Sequence, residues 1–286
     1  MSLLERVQAA WCWNRAEFVP FQAAGQRIGY VHGRLLETLL AQRDLFTFAG
    51  GALRLRAEFA SFEQRALALE QACERLVEAG HLPALRGEPY AVASAAGPAL
   101  ATLDRAAALY FGIHTLGVHV NGISSGEAPR MWLARRARHK RDFPGLLDNL
   151  VGGGCPHGLS LDRCVADEAW QEASLPPALA RQAVPRGSLQ YRFATEDGLV
   201  DADVFVYDVF VPDDFSPRNR DGQVDGFLAL GLDELVERLQ AEPGAFKFNS
   251  ALVALDYLVR AGALAASARV ELGQLCPELY RRAYAG

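Results

Sequence analysis

Two glutamates spaced four residues apart are the clearest candidates for chemistry in this sequence. Glu168 and Glu172 follow the glycines at 152–154, and Gln171 lies between them. If the segment is helical, this spacing places both carboxylates on one face. Carboxylates beside bare backbone carbonyls form an oxygen-rich site that suits Mg²⁺, which also takes ligands from water and from substrate phosphates. The alternative is a surface helix whose solvated face is acidic, because charged residues at this spacing are common on exposed helices.

The flanking residues predict the elements that would position this pair. Residues 147–151 predict a buried strand that enters the glycines. Ser160 is a plausible N-cap for a helix over residues 161–173. A strand, a glycine loop and a helix in this order would bring the loop backbone close to the two carboxylates.

A basic cluster precedes the predicted strand. Its members are Arg135, Arg136, Arg138, His139, Lys140 and Arg141. Guanidinium groups match phosphate oxygens in geometry and charge, so the cluster predicts a clamp for a diphosphate. The alternative is a solvated loop that balances the acidic excess of the chain. Asp148 and Asn149 leave a similar choice open, between a contact with a ligand and hydrogen bonds to the local backbone.

Strand and helix patterns alternate along the rest of the chain and favour an α/β class. The first part is predicted as a small α+β unit with two hairpins and a helix over residues 61–79. Residues 93–100 are predicted as a crossing between domains, and residues 103–110 as a helix at the end of the first domain. We therefore divide the chain into residues 1–110 and residues 111–286.

Composition and charge argue against several functional classes. Of 286 residues, 50% are hydrophobic and 22% are charged, and 29 Lys+Arg against 34 Asp+Glu give a net charge of −5. This charge argues against bulk binding of duplex nucleic acid, and no apolar run approaches the roughly 18 residues of a membrane span. Five scattered cysteines without a C-x-x-C pair predict reduced thiols. We expect a cytoplasmic protein without a signal peptide, and the sequence leaves the oligomeric state open.

The segment around the two glutamates resembles the signature of the Nudix hydrolase family, G-x5-E-x7-R-E-U-x-E-E-x-G-U. Gly153 matches the first glycine, Glu168 matches the glutamate after the arginine, and Gln171 and Glu172 match the paired glutamates. Further segments look like one Nudix subfamily: MWLARRARHKRDFPGLLDNLVGGG, DADVFVYDVFVPDDFSPRNRDGQVDGF and FKFNSALVALDYLVRAG. Members of this subfamily have an extra N-terminal domain, and some are fused to thiamine pyrophosphokinase. The pieces GQRIGYV and GEPYAV look like that leading domain.

This resemblance covers most of the chain and implies a fold. A Nudix α/β/α sandwich with a mixed sheet is expected, preceded by a small α+β N-terminal domain. In this reading the first domain ends near residue 110 and the Nudix domain follows.

The sequence departs from the family pattern at several positions. Asp167 stands where Arg or Lys is usual, and Gln171 replaces a metal-binding glutamate. Gln223 stands in the place of the glutamate in a D-G-E-V segment, which is a candidate metal ligand or base in the family. Glutamine keeps an oxygen acceptor but loses the charge and the basicity. We therefore expect weaker metal binding, which Asp167, Asp221 or Asp225 could offset.

The resemblance implies metal-dependent hydrolysis of a diphosphate linkage in a small molecule. The substrate could be similar to thiamine diphosphate or be a nucleoside diphosphate derivative, with Glu168 and Glu172 as the catalytic pair. Ligands of Mg²⁺ or Mn²⁺ are expected among Glu168, Glu172, Gly153, Gln171 and Gln223, and substrate contacts among Arg135, Arg136, Lys140, Asp148 and Asn149. The alternative, which the two glutamines favour, is a catalytically impaired Nudix module that binds a diphosphate ligand or a protein partner.

Overall fold

The computed structural model describes residues 3–94, 97–264 and 280–281. The helices are α1 (Leu3–Gln8), α2 (Gly33–Ala41), α3 (Phe62–Glu78), α4 (Ala108–Phe111), α5 (Leu161–Ala173), α6 (Pro177–Ala180), α7 (Leu232–Ala241) and α8 (Phe248–Arg260). The strands are β1 (Phe18–Ala23), β2 (Gln26–His32), β3 (Phe46–Ala49), β4 (Ala52–Leu55), β5 (Pro89–Ala93), β6 (Ala99–Asp104), β7 (His114–Ser124), β8 (Arg130–Arg136), β9 (Leu147–Asn149), β10 (Val151–Gly154), β11 (Val184–Ala194), β12 (Leu199–Val211), β13 (Val224–Gly231) and β14 (Tyr280–Arg281). In these ranges, no helix has the length and apolar character needed to cross a membrane.

The first four strands form a small sheet in the order β2-β1-β4-β3. Helix α3 packs with this sheet around an apolar core that contains Phe21, Leu53 and Leu69. Ser61 caps the helix through a capping box, in which its side chain accepts from the Gln64 amide and the Gln64 side chain accepts from the Ser61 amide. The two predicted hairpins and the predicted long helix are therefore confirmed.

The segment between the two predicted domains is a hairpin. Strands β5 and β6 pair antiparallel, so the predicted crossing over residues 93–100 is wrong in its described part; residues 95–96 lie outside the description. The helix predicted over residues 103–110 is also wrong at its start, because burial alternates along β6 as far as Asp104. The Asp104 side chain accepts from the amide of Ala106 at 2.8 Å and begins a 3-10 turn that leads into α4. Small residues in this segment carry too weak a pattern to distinguish a strand from a connection.

A large mixed sheet follows, in the order β13-β8-β7-β12-β11-β14, with β9 paired to β8 and β10 paired to β7. Strands β7 and β12 run parallel, and β7 pairs antiparallel with β8 and β10. Along β12, Val204 and Val206 pack in the core beneath α7 and α8, whereas Val209 and Val211 pack in the core beneath α5. Helices therefore cover both faces, and the predicted α/β/α sandwich with a mixed sheet is confirmed.

Helix α1 packs with the large sheet although it precedes the small one. Leu3, Val7 and Ala10 belong to the core beneath α8. The first residues of the predicted N-terminal domain thus lie in the core of the second. The division into residues 1–110 and residues 111–286 stays a prediction.

A charged cluster ties together the two parallel strands at the centre of the large sheet. His114 Nδ1 lies 3.1 Å from Asp201 Oδ1, and its Nε2 lies 3.5 Å from Asp203 Oδ2. Arg192 of β11 donates to the other oxygen of Asp201 at 2.7 Å. Burial opposes protonation of the imidazole, but the two carboxylates outweigh it and raise the pKa of His114 to about 9. The imidazolium therefore holds β7 beside β12 at neutral pH.

We expect His114→Gln to lower the free energy of unfolding most at low pH. A group with a raised folded-state pKa contributes stability that is fully present below its unfolded pKa, about 6.5. This stability is lost as the pH rises through the folded pKa. Urea denaturation should therefore show that the difference in the free energy of unfolding between wild type and variant becomes smaller from about pH 6 to about pH 10. A difference that stays constant over this range would contradict the assigned charge.

Candidate active site

Helix α5 and strand β10 lie together and form the candidate site. The helix begins after Ser160, whose hydroxyl accepts from the Arg163 amide at 3.3 Å. Its buried residues Cys164, Val165 and Ala169 pack in the core on this face of the sheet. The predicted bounds and cap of this helix are confirmed.

Both glutamates of α5 lie against the glycine strand. Glu172 is 5% exposed, and its Oε2 accepts a hydrogen bond from the Gly152 amide at 2.9 Å. Glu168 packs so closely on Gly153 that a Cβ at this position would collide with its carboxyl group. The Gly153 carbonyl oxygen lies close to Gly117 of β7, and its role as a metal ligand stays a prediction. The structure thus brings the two carboxylates and the predicted glycines together.

The Glu172 carboxylate is buried and the Glu168 carboxylate is half-buried, and the charge of Glu168 makes Glu172 harder to ionise. Burial raises the pKa of Glu172 to about 8, and the charge of Glu168 adds to the shift. Burial also raises the pKa of Glu168, while the charge of Arg105 opposes the rise. Lys140 Nζ lies 4.0 Å from Glu172 Oε1. A divalent cation bound by both carboxylates would remove this repulsion.

The donor set fits a divalent cation that keeps several waters. Among the residues described, no group of three or more His, Cys, Asp or Glu side chains could hold a metal ion. Gln171 is exposed, its main-chain carbonyl accepts from the Arg220 amide at 2.9 Å, and Gln223 is half-buried. Mg²⁺ commonly binds one or two carboxylates together with waters and phosphate oxygens. Glu168 and Glu172 meet that minimum, and the ligand roles of both glutamines stay predictions.

The three aspartates that could offset the glutamines lie in different surroundings. Asp167 pairs with an arginine one turn away on α5, at 2.7 Å. Asp225 accepts from the main-chain amide of Arg138 at 3.1 Å. Asp221 lies near enough for its charge to raise the pKa of Glu168. Compensation for the glutamines by any of the three stays a prediction.

Arg136 and Asp148 form a buried ion pair beside the glycine strand. Arg136 Nη1 donates to Asp148 Oδ2 at 2.9 Å, and its other nitrogens donate to the carbonyls of Asp142 and Phe143. Lys247 Nζ lies 3.0 Å from the same oxygen of Asp148. Burial opposes ionisation of Asp148, but the neighbouring cations outweigh it and hold its pKa well below the usual range. These bonds give Arg136 and Asp148 a structural role.

The remaining predicted substrate contacts lie in different surroundings. Asn149 is buried and forms hydrogen bonds with His119 Nδ1 at 2.6 Å and with Asn121 Oδ1 at 3.1 Å. Arg135 is exposed and donates to a loop carbonyl at 3.0 Å. Lys140 lies beside the buried carboxylate at the end of α5. For all five residues of the set, a role in substrate binding stays a prediction.

The sequence reasoning missed two side chains that the β5–β6 hairpin brings to the glycine strand. A Cβ at Gly154 would collide with the Tyr90 hydroxyl and would lie 3.4 Å from the guanidinium carbon of Arg105. The segment GEPYAV, which resembles the leading domain of the subfamily and contains Tyr90, was the one sequence feature that pointed to this hairpin. No local spacing connects that segment with glycines so far along the chain.

We expect Arg136→Ala to lower the free energy of unfolding by about 2–4 kcal/mol, because it removes a partner of a buried carboxylate. The matched control is Arg135→Ala, the exposed neighbour on the same strand, which should cost less than about 1 kcal/mol. Urea denaturation measures both. Equal losses in the two variants would show that the buried pair contributes no more than a surface hydrogen bond.

A domain of unknown function, DUF4743, matches residues 2–115. Among solved structures, the chain is similar to the NUDIX domain of a Shewanella oneidensis protein complexed with ADP ribose. The two are 14% identical with a TM-score of 0.42, over 53% of this chain and 90% of that one.

Two curated relatives come from Arabidopsis thaliana. They are named "Nudix hydrolase 20, chloroplastic" and "Nudix hydrolase 24, chloroplastic". Each is 34% identical to this chain, over 257 and 250 residues respectively, and each match covers 86% of this chain and 68% of the relative. The similarity therefore spans both the small sheet and the large one. The chain belongs to the Nudix hydrolase family.

Proposed function

We propose that this protein hydrolyses a diphosphate linkage in a small molecule with the help of a divalent cation. The observation that carries the proposal is the pair of carboxylates that lies against a strand of glycines, Glu172 buried and Glu168 half-buried, both with raised pKa values. A structure that holds two like charges in this way gains stability when a cation binds both. Membership of the Nudix hydrolase family supports the reaction class.

Each nearby residue has a task that its surroundings support. The Gly152 amide fixes one oxygen of Glu172, and the Gly153 backbone leaves room for Glu168. Lys140 adds a positive charge beside Glu172, at 4.0 Å, and can attract phosphate oxygens. When bound, Mg²⁺ or Mn²⁺ would neutralise phosphate oxygens and lower the pKa of a coordinated water. Gln223 cannot accept the proton of that water, because an amide is not a base at neutral pH.

The substrate class is inferred from the family resemblance, and a hydrolysis screen tests it. Similarity to the subfamily related to thiamine pyrophosphokinase fusions supports a compound similar to thiamine diphosphate. A nucleoside diphosphate derivative is the other candidate. Both carry the same linkage and the same anionic oxygens, so the carboxylate pair would serve either.

A second candidate function has an observation of its own in its favour. Gln171 and Gln223 remove two negative charges from the predicted ligand set, and the described residues form no three-ligand metal cluster. A Nudix module with this composition could bind a diphosphate ligand or a protein partner without turnover.

A hydrolysis screen with Mg²⁺ or Mn²⁺ over nucleoside, sugar and thiamine diphosphates tests the proposal. We expect turnover of at least one compound by the wild type and a loss of roughly 10²-fold or more in Glu172→Gln, because a ligand carboxylate is removed. Asp162→Asn is the matched control, since Asp162 is an exposed acid in the first turn of the same helix. It should keep turnover close to that of the wild type.

The double variant Gln171→Glu with Gln223→Glu separates the two candidate functions in the same screen. If the site geometry is otherwise intact, restored carboxylates should raise turnover about tenfold or more. A wild type that is already active, with little gain in the double variant, would show that Glu168 and Glu172 suffice. A wild type and a double variant that are equally inert on every diphosphate would refute the enzyme and favour the binding module.

A further inference from the structure

The β5–β6 hairpin comes from the first part of the chain but lies against the glycine strand of the site. The Tyr90 hydroxyl lies over Gly154, where any Cβ would collide with it. The Pro89 carbonyl accepts from the His157 amide at 2.8 Å, and the His157 ring lies 5.5 Å from that of Phe62. The contacts of Tyr90 and Pro89 fix the hairpin relative to the loop that runs from β10 to α5, and Phe62 brings α3 to the same loop.

Arg105 directly follows this hairpin and is positioned by it. Its amide donates to the Glu88 carbonyl at 2.9 Å, and its Nη1 donates to Glu88 Oε2 at 2.8 Å. The guanidinium carbon lies 5.8 Å from the centre of the Tyr90 ring. Within the described part of the chain the Arg105 side chain makes that one hydrogen bond, and 37% of it is exposed. Arginine carries five N–H donors, so most of them remain available to a ligand.

The Arg105 guanidinium lies near the Glu168 carboxylate without being bonded to it. A Cβ at Gly154 would lie 3.4 Å from the guanidinium carbon of Arg105, and the Glu168 carboxyl packs on the adjacent Gly153. No hydrogen bond or ion pair joins these two side chains, both of which are described. Lys140 Nζ lies 4.0 Å from Glu172 Oε1, so cationic side chains lie near both carboxylates. This arrangement suits a ligand with several phosphate oxygens, which can bind cationic side chains and a metal ion together.

Other cations beside the glycine strand are already bonded. Arg136 and Lys247 both bind Asp148, at 2.9 and 3.0 Å. Arg105 keeps free donors and a planar guanidinium, which can take two phosphate oxygens at once.

We propose that Arg105 binds the diphosphate group of the substrate, so that the first part of the chain completes the active site. This inference rests on the proposed function and adds a substrate-binding residue to it. It also gives the N-terminal part of the chain a direct task in recognition.

Binding of methylenediphosphonate, a diphosphate analogue whose bridge resists hydrolysis, tests the inference without turnover. Titration calorimetry with Mg²⁺ present compares the wild type, Arg105→Gln and Arg86→Gln, and a second titration uses Mg²⁺ alone. Arg86 is the matched control, because it precedes the same hairpin, pairs with one carboxylate, Asp142, at 3.0 Å, and is 36% exposed. We expect Arg105→Gln to weaken binding of the analogue at least tenfold, about 1.4 kcal/mol. Arg86→Gln should leave that binding close to the wild-type value.

The conservative variant Arg105→Lys keeps the charge but loses the fork, so it should bind the analogue between Arg105→Gln and the wild type. Thermal unfolding checks that each variant is folded. If Arg105→Gln fails to fold, the affinity of Arg105→Lys for the analogue decides the question. An affinity about threefold or more below that of the wild type supports the inference. Arg105 variants that bind the analogue as tightly as Arg86→Gln would overturn it and leave the proposed function standing. A wild type that neither binds the analogue nor hydrolyses any diphosphate would overturn both.

Discussion

Glu168 and Glu172 are held where neither carboxylate is easily ionised, and much of the structure around them serves that arrangement. Burial raises the pKa of both groups, which is unfavourable for folding unless something else binds there. The glycines of β10 make this arrangement possible. Gly153 leaves room for the Glu168 carboxyl group, and the Gly152 amide donates a hydrogen bond to Glu172. A site of this kind is typical of residues kept for binding or chemistry.

The position of the glycine strand depends in turn on a buried polar network. Asp148 joins Arg136 of β8, Lys247 before α8 and Ser250 within α8. A Cβ at Gly152 would lie 3.1 Å from Asp148 Oδ1, so this network lies directly beside the site. The ionised Asp148 side chain therefore links the large sheet, helix α8 and the carboxylate pair. Removing one of its cationic partners should affect all three.

The features that could be predicted from the sequence are those whose residues lie within one short segment of the chain. The bounds of α5 could be predicted because Ser160, the apolar spacing and the acidic pair all lie within one segment. The mixed sheet could be predicted from the family resemblance together with strand patterns. The structural role of Arg136 could not, because its partner Asp148 and the second cation on that carboxylate, Lys247, come from separate elements. Tyr90 and Arg105 were missed for the same reason, since only folding brings their hairpin to Gly154.

Locating a bound cation would test the central claim most directly. Crystals of the wild type soaked in Mn²⁺ would show the ion by its anomalous scattering. The account predicts a peak within coordination distance of the carboxylates of Glu168 and Glu172, and no such peak in crystals of Glu172→Gln. A well-occupied Mn²⁺ peak elsewhere in the molecule, with none at these two carboxylates, would contradict it.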